Sequence, residues 1–124
     1  MSDPKKKILV VDDDLSMDKM LVFLFETKGF DVRYASGGAQ ALEILKDFMP
    51  HLIILDLMMP DIDGFEVCRR IKEDDNLKHI PIIALSALPS KIHKDRAMSL
   101  GADAYIEKPF VSRNLIDTVE AHLS

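Results

Sequence analysis

Short apolar segments alternate with longer amphipathic segments along this chain, and no other feature limits its possible folds as strongly. The apolar segments predict β-strands, and the segments with apolar residues every three or four positions predict α-helices. The predicted strands are 7–11, 31–35, 52–56, 81–86 and 103–107, and the predicted helices are 15–28, 38–48, 64–74, 90–100 and 112–123. Such alternation favours an α/β fold, in which a doubly wound, five-stranded parallel sheet carries helices on both faces.

The first strand and the second helix illustrate the two patterns. Residues 8–11 are all apolar, which is typical of a strand buried on both faces of a parallel sheet. In the second helix Ala41, Leu42, Leu45 and Phe48 recur at helical spacing, and Pro50 blocks its continuation.

Length and composition indicate one globular domain. We expect this domain to span residues 1–124, the whole of the 124-residue sequence, with a short N-terminal tail at 1–6. The net charge of −5 argues against nucleic-acid binding, and no apolar run approaches the roughly 20 residues of a membrane span. Cys68 is the only cysteine, which fits a reducing cytoplasm. We therefore expect neither DNA nor a membrane as a partner of this chain.

Polar residues follow most of the predicted strands at the point where each strand ends. Asp12 and Asp13 come after the first strand, Asp56 ends the third, Ser86 ends the fourth and Lys108 follows the fifth. Ligands of doubly wound sheets bind outside the carboxyl ends of the strands. The second strand ends without a comparable residue, which is expected if it lies at the edge of a sheet ordered 2-1-3-4-5.

Each of these residues also has an ordinary structural interpretation. Asp14 and its acidic neighbours could cap the first helix, Asp56 could belong to a turn, Ser86 could cap the fourth helix and Lys108 could be a surface lysine. Together, however, they suit phosphoryl transfer. Carboxylates hold Mg²⁺, a carboxylate can act as the nucleophile, and a lysine offsets the charge on the transferred oxygens. Asp56 is the candidate nucleophile, because its strand is predicted to be central.

Five motifs extend this pattern over the chain, and as a set they resemble a known family. They are residues 8–14 (ILVVDDD), 55–60 (LDLMMP), 63–64 (DG), 81–87 (PIIALSA) and 101–110 (GADAYIEKPF). In this order and spacing they are similar to the response-regulator receiver domains of two-component signalling, including the chemotaxis regulators. The resemblance covers nearly all of residues 6–123 and implies a flavodoxin-like sheet.

The resemblance implies a role for each site residue. Asp56 would accept a phosphoryl group, and Lys108 would pair with it. Asp12, Asp13 and Asp56, with the backbone carbonyl of Met58, would hold Mg²⁺. Ser86 and Tyr105 match the hydroxyl and aromatic positions that respond to phosphorylation. The peptide bond between Lys108 and Pro109 is expected to be cis.

The resemblance also implies partners. The phosphoryl donor would be a sensor histidine kinase or a histidine phosphotransfer protein, and the fourth helix, fifth strand and fifth helix would form the surface for a downstream protein target. Such a domain is a switch and not an enzyme, with at most self-phosphorylation and self-dephosphorylation activity. A stand-alone regulator is expected.

Other classes of protein stay open at this stage. The chain could be a receiver excised from a larger regulator or hybrid kinase, or a pseudo-receiver that acts without phosphorylation. An aspartate-nucleophile phosphatase is disfavoured, because Met58 stands where its second acid is expected. A flavodoxin-like cofactor binder is disfavoured, because Asp12, Asp13 and Asp14 would repel a phosphate without a metal.

Overall fold

The computed structural model describes residues 5–87 and 91–123, except for the side chains of Leu15 and Asp18. Strands and helices alternate throughout these residues. The strands are β1 (Lys7–Val11), β2 (Asp31–Ala35), β3 (Leu52–Asp56), β4 (Ile82–Ser86) and β5 (Ala104–Glu107). The helices are α1 (Leu15–Thr27), α2 (Gly38–Ile44), α3 (Gly64–Glu73), α4 (Lys91–Ser99) and α5 (Ser112–Leu123). Of the predicted tail at 1–6, residues 1–4 lie outside the described part of the chain.

All strand pairs are parallel, and their order is β2-β1-β3-β4-β5, as predicted. The register places Val11 opposite Leu55, Asp56 opposite Leu85, and Ser86 opposite Glu107. The carboxyl ends of β1, β3, β4 and β5 therefore meet along one edge of the sheet.

Helices cover both faces of the sheet, because successive strand residues point to opposite sides. Leu9 and Ile53 belong to a core that also contains buried residues of α2, α3 and α4, whereas Ile8 and Ile54 belong to a second core with α1 and α5. Strands β3 and β4 are buried at every position, which agrees with their continuous apolar sequence. Among the described residues, no helix combines the length and the apolar character that crossing a bilayer requires.

The second helix is shorter than its apolar spacing predicts. It ends at Ile44, and three turn residues follow before Phe48. The backbone N–H groups of Lys46 and Asp47 donate to the carbonyls three residues earlier, at 3.2 and 3.0 Å. Such bonds tighten the end of a helix while Leu45 and Phe48 stay buried, so the spacing of the apolar residues alone misplaces the boundary.

The remaining boundaries differ from the prediction by at most one residue, and β1, β2, β3 and the last helix begin and end where predicted. Strand β4 begins at Ile82 and not at Pro81, because proline has no N–H to donate to a neighbouring strand. Asp103 lies just outside β5, where its side chain accepts a hydrogen bond from the N–H of Ile82 at 2.8 Å. The predicted start of the fourth helix, Ser90, lies outside the described residues.

Candidate functional site

Three polar side chains are buried within the described residues, and all of them lie at the carboxyl edge of the sheet. Asp12 and Ser86 are 0% exposed, and Asp56 is 4% exposed. Burial of a carboxylate costs free energy unless a partner compensates it. The fold therefore buries polar residues that the sequence predicts for the site, although removing them from water costs solvation free energy.

Three carboxylates form a cluster at this edge. Asp12, Asp13 and Asp56 each offer an oxygen atom, and these atoms lie within 4.8 Å of one another. Oxygen ligands of this kind are those that Mg²⁺ prefers, and the exposure of Asp13 leaves room for the waters that the ion retains. The donor set thus fits a hard divalent cation.

Asp56 is held in surroundings that oppose its negative charge. Burial raises the pKa of Asp56 from its usual 3.8 to about 6, and the charges of Asp12 and Asp13 act in the same direction. Two groups favour the charged form: the backbone N–H of Met58, which donates to Oδ1 at 3.1 Å, and the ammonium group of Lys108. Binding of a positively charged group beside this carboxylate is therefore favourable.

Lys108 bridges the buried acids. Its Nζ lies 2.9 Å from Oδ2 of Asp12 and 3.6 Å from Oδ2 of Asp56. Burial by itself lowers the pKa of Lys108, but the hydrogen bond to Asp12 and the charge of Asp56 outweigh it, so the pKa is raised. The backbone N–H of Lys108 donates to the carbonyl of Ser86 at 2.7 Å, and the peptide bond to Pro109 is cis, as expected.

Tyr105 lies on β5, opposite Ala84 of the neighbouring strand. It is partly buried and packs against the core that includes Ala97 of α4. The predicted aromatic residue is therefore next to the site strand β4 and packs against the same core as α4. Residues 88–90, which join β4 to α4, lie outside the described part.

The three consecutive aspartates after β1, residues 12–14, have different structural roles. Asp14 caps α1, since its Oδ1 accepts from the N–H groups of Ser16 and Met17 at 3.0 and 3.3 Å. Asp12 turns inward, and its Oδ1 accepts from the N–H of Asp14 at 2.8 Å. The capping interpretation therefore holds for Asp14 and not for its buried neighbour.

The loop at residues 57–63 follows Asp56 and is shaped by close backbone contacts. The N–H of Gly64 donates to the carbonyl of Leu57 at 3.0 Å. A Cβ atom at Gly64 would lie 2.3 Å from the carbonyl oxygen of Asp56, so only glycine allows this approach. Asp63 caps α3 by accepting from the N–H of Glu66 at 2.9 Å.

Asp61 lies in the loop after Asp56, and the sequence alone indicated no role for it. Its carboxylate accepts hydrogen bonds from the N–H groups of Gly38 and Ala39, at 3.2 and 3.0 Å. These partners are 23 and 22 residues away along the chain, so no local motif signals the contact.

This arrangement can bind a charged phosphoryl group and a divalent cation at one place. A buried carboxylate stands beside further oxygen ligands, an ammonium group and the strand-ending hydroxyl residue Ser86. The chemistry of each group matches a part of a phosphoryl-transfer site.

Comparison with known proteins gives a consistent result. Residues 8–120 match the response regulator receiver domain family. The chain is 35% identical over 120 residues to the polar-differentiation response regulator DivK of Brucella anthropi, and the match covers 97% of each protein. It is 37% identical over 123 residues to the DNA-binding response regulator MtrA of Mycobacterium tuberculosis, where it covers 99% of this chain and 53% of MtrA. The chain thus spans about half the length of that relative.

Solved structures agree with the sequence matches. The chemotaxis response regulator CheY4 of Vibrio cholerae superposes with a TM-score of 0.91 at 29% identity, and the match covers 97% of this chain and 100% of CheY4. With the parallel sheet, the acidic cluster and these relatives on the same residues, the chain belongs to the response regulator receiver domains of two-component signalling.

Proposed function

We propose that this receiver domain is switched by phosphorylation of Asp56, with a phosphohistidine on a sensor histidine kinase or histidine phosphotransfer protein as the donor. The observation that carries the proposal is the position of the Asp56 carboxylate. It is buried at the carboxyl end of the central strand, in the acidic cluster and 3.6 Å from the ammonium group of Lys108.

Mg²⁺ is the proposed cofactor. Asp12, Asp13, Asp56 and the backbone carbonyl of Met58 would hold the ion. Their oxygen atoms suit it, and three of the four donors are the clustered carboxylates. When bound, the ion would offset negative charge on the phosphoryl oxygens.

In the proposed transfer, an oxygen of the Asp56 carboxylate attacks the phosphorus atom. The P–N bond of the phosphohistidine breaks, and its electron pair stays on the imidazole nitrogen of the donor. Lys108 is already placed between two carboxylates and exchanges part of that pairing for the phosphoryl oxygens. Even without the ion, the Asp56 carboxylate is mostly in its charged form above a pH of about 6.

The switch follows from the new charge. The Ser86 hydroxyl would donate a hydrogen bond to a phosphoryl oxygen, and Tyr105 would respond on the neighbouring strand. Helix α4 is suited to moving, because Ala97 is its one buried residue among those described. The resulting face of α4, β5 and α5 would then bind a downstream protein.

The domain at 1–124 thus acts as a switch whose own chemistry is limited to gaining and losing the phosphoryl group. Its site is the predicted one: Asp56 as acceptor, Lys108 and Ser86 in support, and Tyr105 as the responding residue. We place this activity in the cytoplasm, where a chain with one cysteine meets a reducing environment.

Incubation with acetyl phosphate and Mg²⁺ tests the proposal. The wild type should gain one phosphoryl group by intact mass, and beryllofluoride should shift the NMR signals of Tyr105 and α4. Asp56→Ala should show neither change, whereas Asp75→Ala, in an exposed ion pair with Lys78, should behave as the wild type. An unmodified wild type, or an equal adduct on Asp56→Ala, would refute the proposal.

A further inference from the structure

The loop at residues 57–63 carries part of the proposed site, and hydrogen bonds hold both of its ends. At one end, the N–H of Met58 donates to Asp56 Oδ1 at 3.1 Å. At the other end, Gly64 bonds to Leu57 and Asp63 caps α3. Between these ends, the side chains of Met59 and Ile62 pack against the core, and the loop also makes a polar contact with another element.

Asp61 supplies that contact. Its Oδ1 and Oδ2 accept from Gly38 and Ala39, whose N–H groups lie in the first turn of α2 and have no partner within the helix. Gly37, the residue that precedes this helix, has no side chain to cap it. The bond from Ala39 is the main cause that lowers the pKa of Asp61, and a carboxylate is favoured at the positive end of a helix.

The sequence around α2 leaves space for this contact. A Cβ atom at Gly37 would lie 2.8 and 3.0 Å from the two carboxylate oxygens of Asp61. A Cβ atom at Gly38 would lie 2.7 Å from the carbonyl oxygen of Ile62. Two successive glycines thus allow the loop to approach the helix end closely.

The segment that precedes α2 also contacts the first residue of the acidic cluster. The N–H of Ser36 donates to Oε1 of Gln40 in α2 at 2.6 Å. The carbonyl of the preceding Ala35 accepts from the N–H of Asp12 at 3.1 Å. The start of α2 is therefore bonded both to the loop after Asp56 and, through the end of β2, to the residue that begins the cluster.

We propose that Asp61 is a positioning residue of the receiver site. By fixing the loop against the first turn of α2, it sets where the backbone of Met58 lies relative to Asp56 and Asp12. It touches neither the phosphoryl group nor the cation. The inference rests on the proposed function only for its effect on the reaction, since the position of the loop can be measured without it.

Three variants test this role: Asp61→Ala removes both acceptors, Asp61→Asn retains one oxygen, and Asp75→Ala is the matched exposed control. Amide hydrogen exchange of Met58 reports the loop, and a titration with Mg²⁺ alone, followed by amide NMR shifts, reports the cation. We expect faster exchange at Met58 and about tenfold weaker Mg²⁺ binding in Asp61→Ala. Asp61→Asn should recover part of both, and Asp75→Ala should match the wild type.

Kinetics with acetyl phosphate separate positioning from general damage. The loss in Asp61→Ala should lie in the dependence on Mg²⁺, with the rate at saturating Mg²⁺ largely retained. Wild-type exchange at Met58 and wild-type Mg²⁺ affinity in Asp61→Ala would overturn the inference, as would a lower thermal midpoint with no local change at Met58. If the wild type accepts no phosphoryl group while Asp61→Ala still releases Met58, the proposed function fails and the positioning role stands.

Discussion

Asp56 is under an unusual constraint for a single residue, because the strand that presents it also removes it from water. Its carboxylate is 4% exposed and shares a small region with Asp12. One backbone N–H and one ammonium group offset this only in part, so its pKa stays raised. Reactivity at this residue is therefore coupled to the stability of the fold.

Asp56→Asn should stabilise the metal-free protein above pH 6. The pKa of Asp56 is about 6 in the folded state and 3.8 in the unfolded state, so the folded state binds the proton more tightly. The charged carboxylate then costs the wild type stability as pH rises from 4 to 6, and the full cost remains above that range. Removing it should raise the free energy of unfolding at pH 7.5 by roughly 1–3 kcal/mol.

Urea unfolding in EDTA at several pH values measures this effect. The gain of Asp56→Asn over the wild type should shrink on acidification and disappear below pH 4. Asp75→Asn, on the exposed surface, should show no such gain. A less stable Asp56→Asn at pH 7.5 would contradict the electrostatic account.

At the scale of single elements, α4 is attached differently from its neighbours. Only Ala97 is buried among its described residues. Two of its other side chains contact Phe65 of α3: the guanidinium of Arg96 lies 4.1 Å from the ring centroid, and the ring of His93 lies 5.9 Å away. A helix with so little buried surface of its own can shift without opening the core.

Arg96→Gln should loosen α4 and leave the sheet unchanged. A cation–π contact at an exposed site contributes about 0.5–1 kcal/mol, so amide exchange in α4 should become about two- to fivefold faster. Exchange in β3 and β4 should not change. Arg113→Gln on α5 is the control, because Arg113 is in an exposed pair with Asp117 at 3.9 Å. If amide exchange in α4 were equally fast in the two variants, the contact between Arg96 and Phe65 would not hold the helix.

The elements also show what the sequence can and cannot predict. Every strand was located to within one residue. The continuous apolar runs of β3 and β4 reflect burial on both faces, which excludes most polar residues. The end of α2 was wrong, because a tight turn keeps the apolar spacing of a helix. The grouping of Asp12, Asp56, Ser86 and Lys108 was predicted from the strand ends. The pairing of Lys108 with Asp12, closer than with Asp56, depends on side-chain positions that spacing does not fix.

For the whole molecule, cation binding and folding should be linked. The unfolded chain does not hold the three carboxylates together, so Mg²⁺ should bind the folded state preferentially. At a concentration ten times its dissociation constant, Mg²⁺ should add about 1.4 kcal/mol to the free energy of unfolding. NaCl at equal ionic strength should not reproduce this gain.

Asp13→Asn provides the matched comparison, because Asp13 is exposed and its replacement leaves both cores intact. The variant should fold normally and lose most of the stabilisation by Mg²⁺ in thermal melts. An identical Mg²⁺ response in this variant and the wild type would exclude Asp13 as a ligand.

The buried polar side chains of the described chain all lie at one edge of the sheet, and this has an evolutionary consequence. Substitutions that exchange one hydrocarbon side chain for another in the two cores leave the chemistry at that edge untouched. Changes on the outer helices can alter recognition without disturbing the frame beneath. Selection can therefore change the stability of the fold and its recognition of partners almost independently, so one fold can serve many signalling pathways.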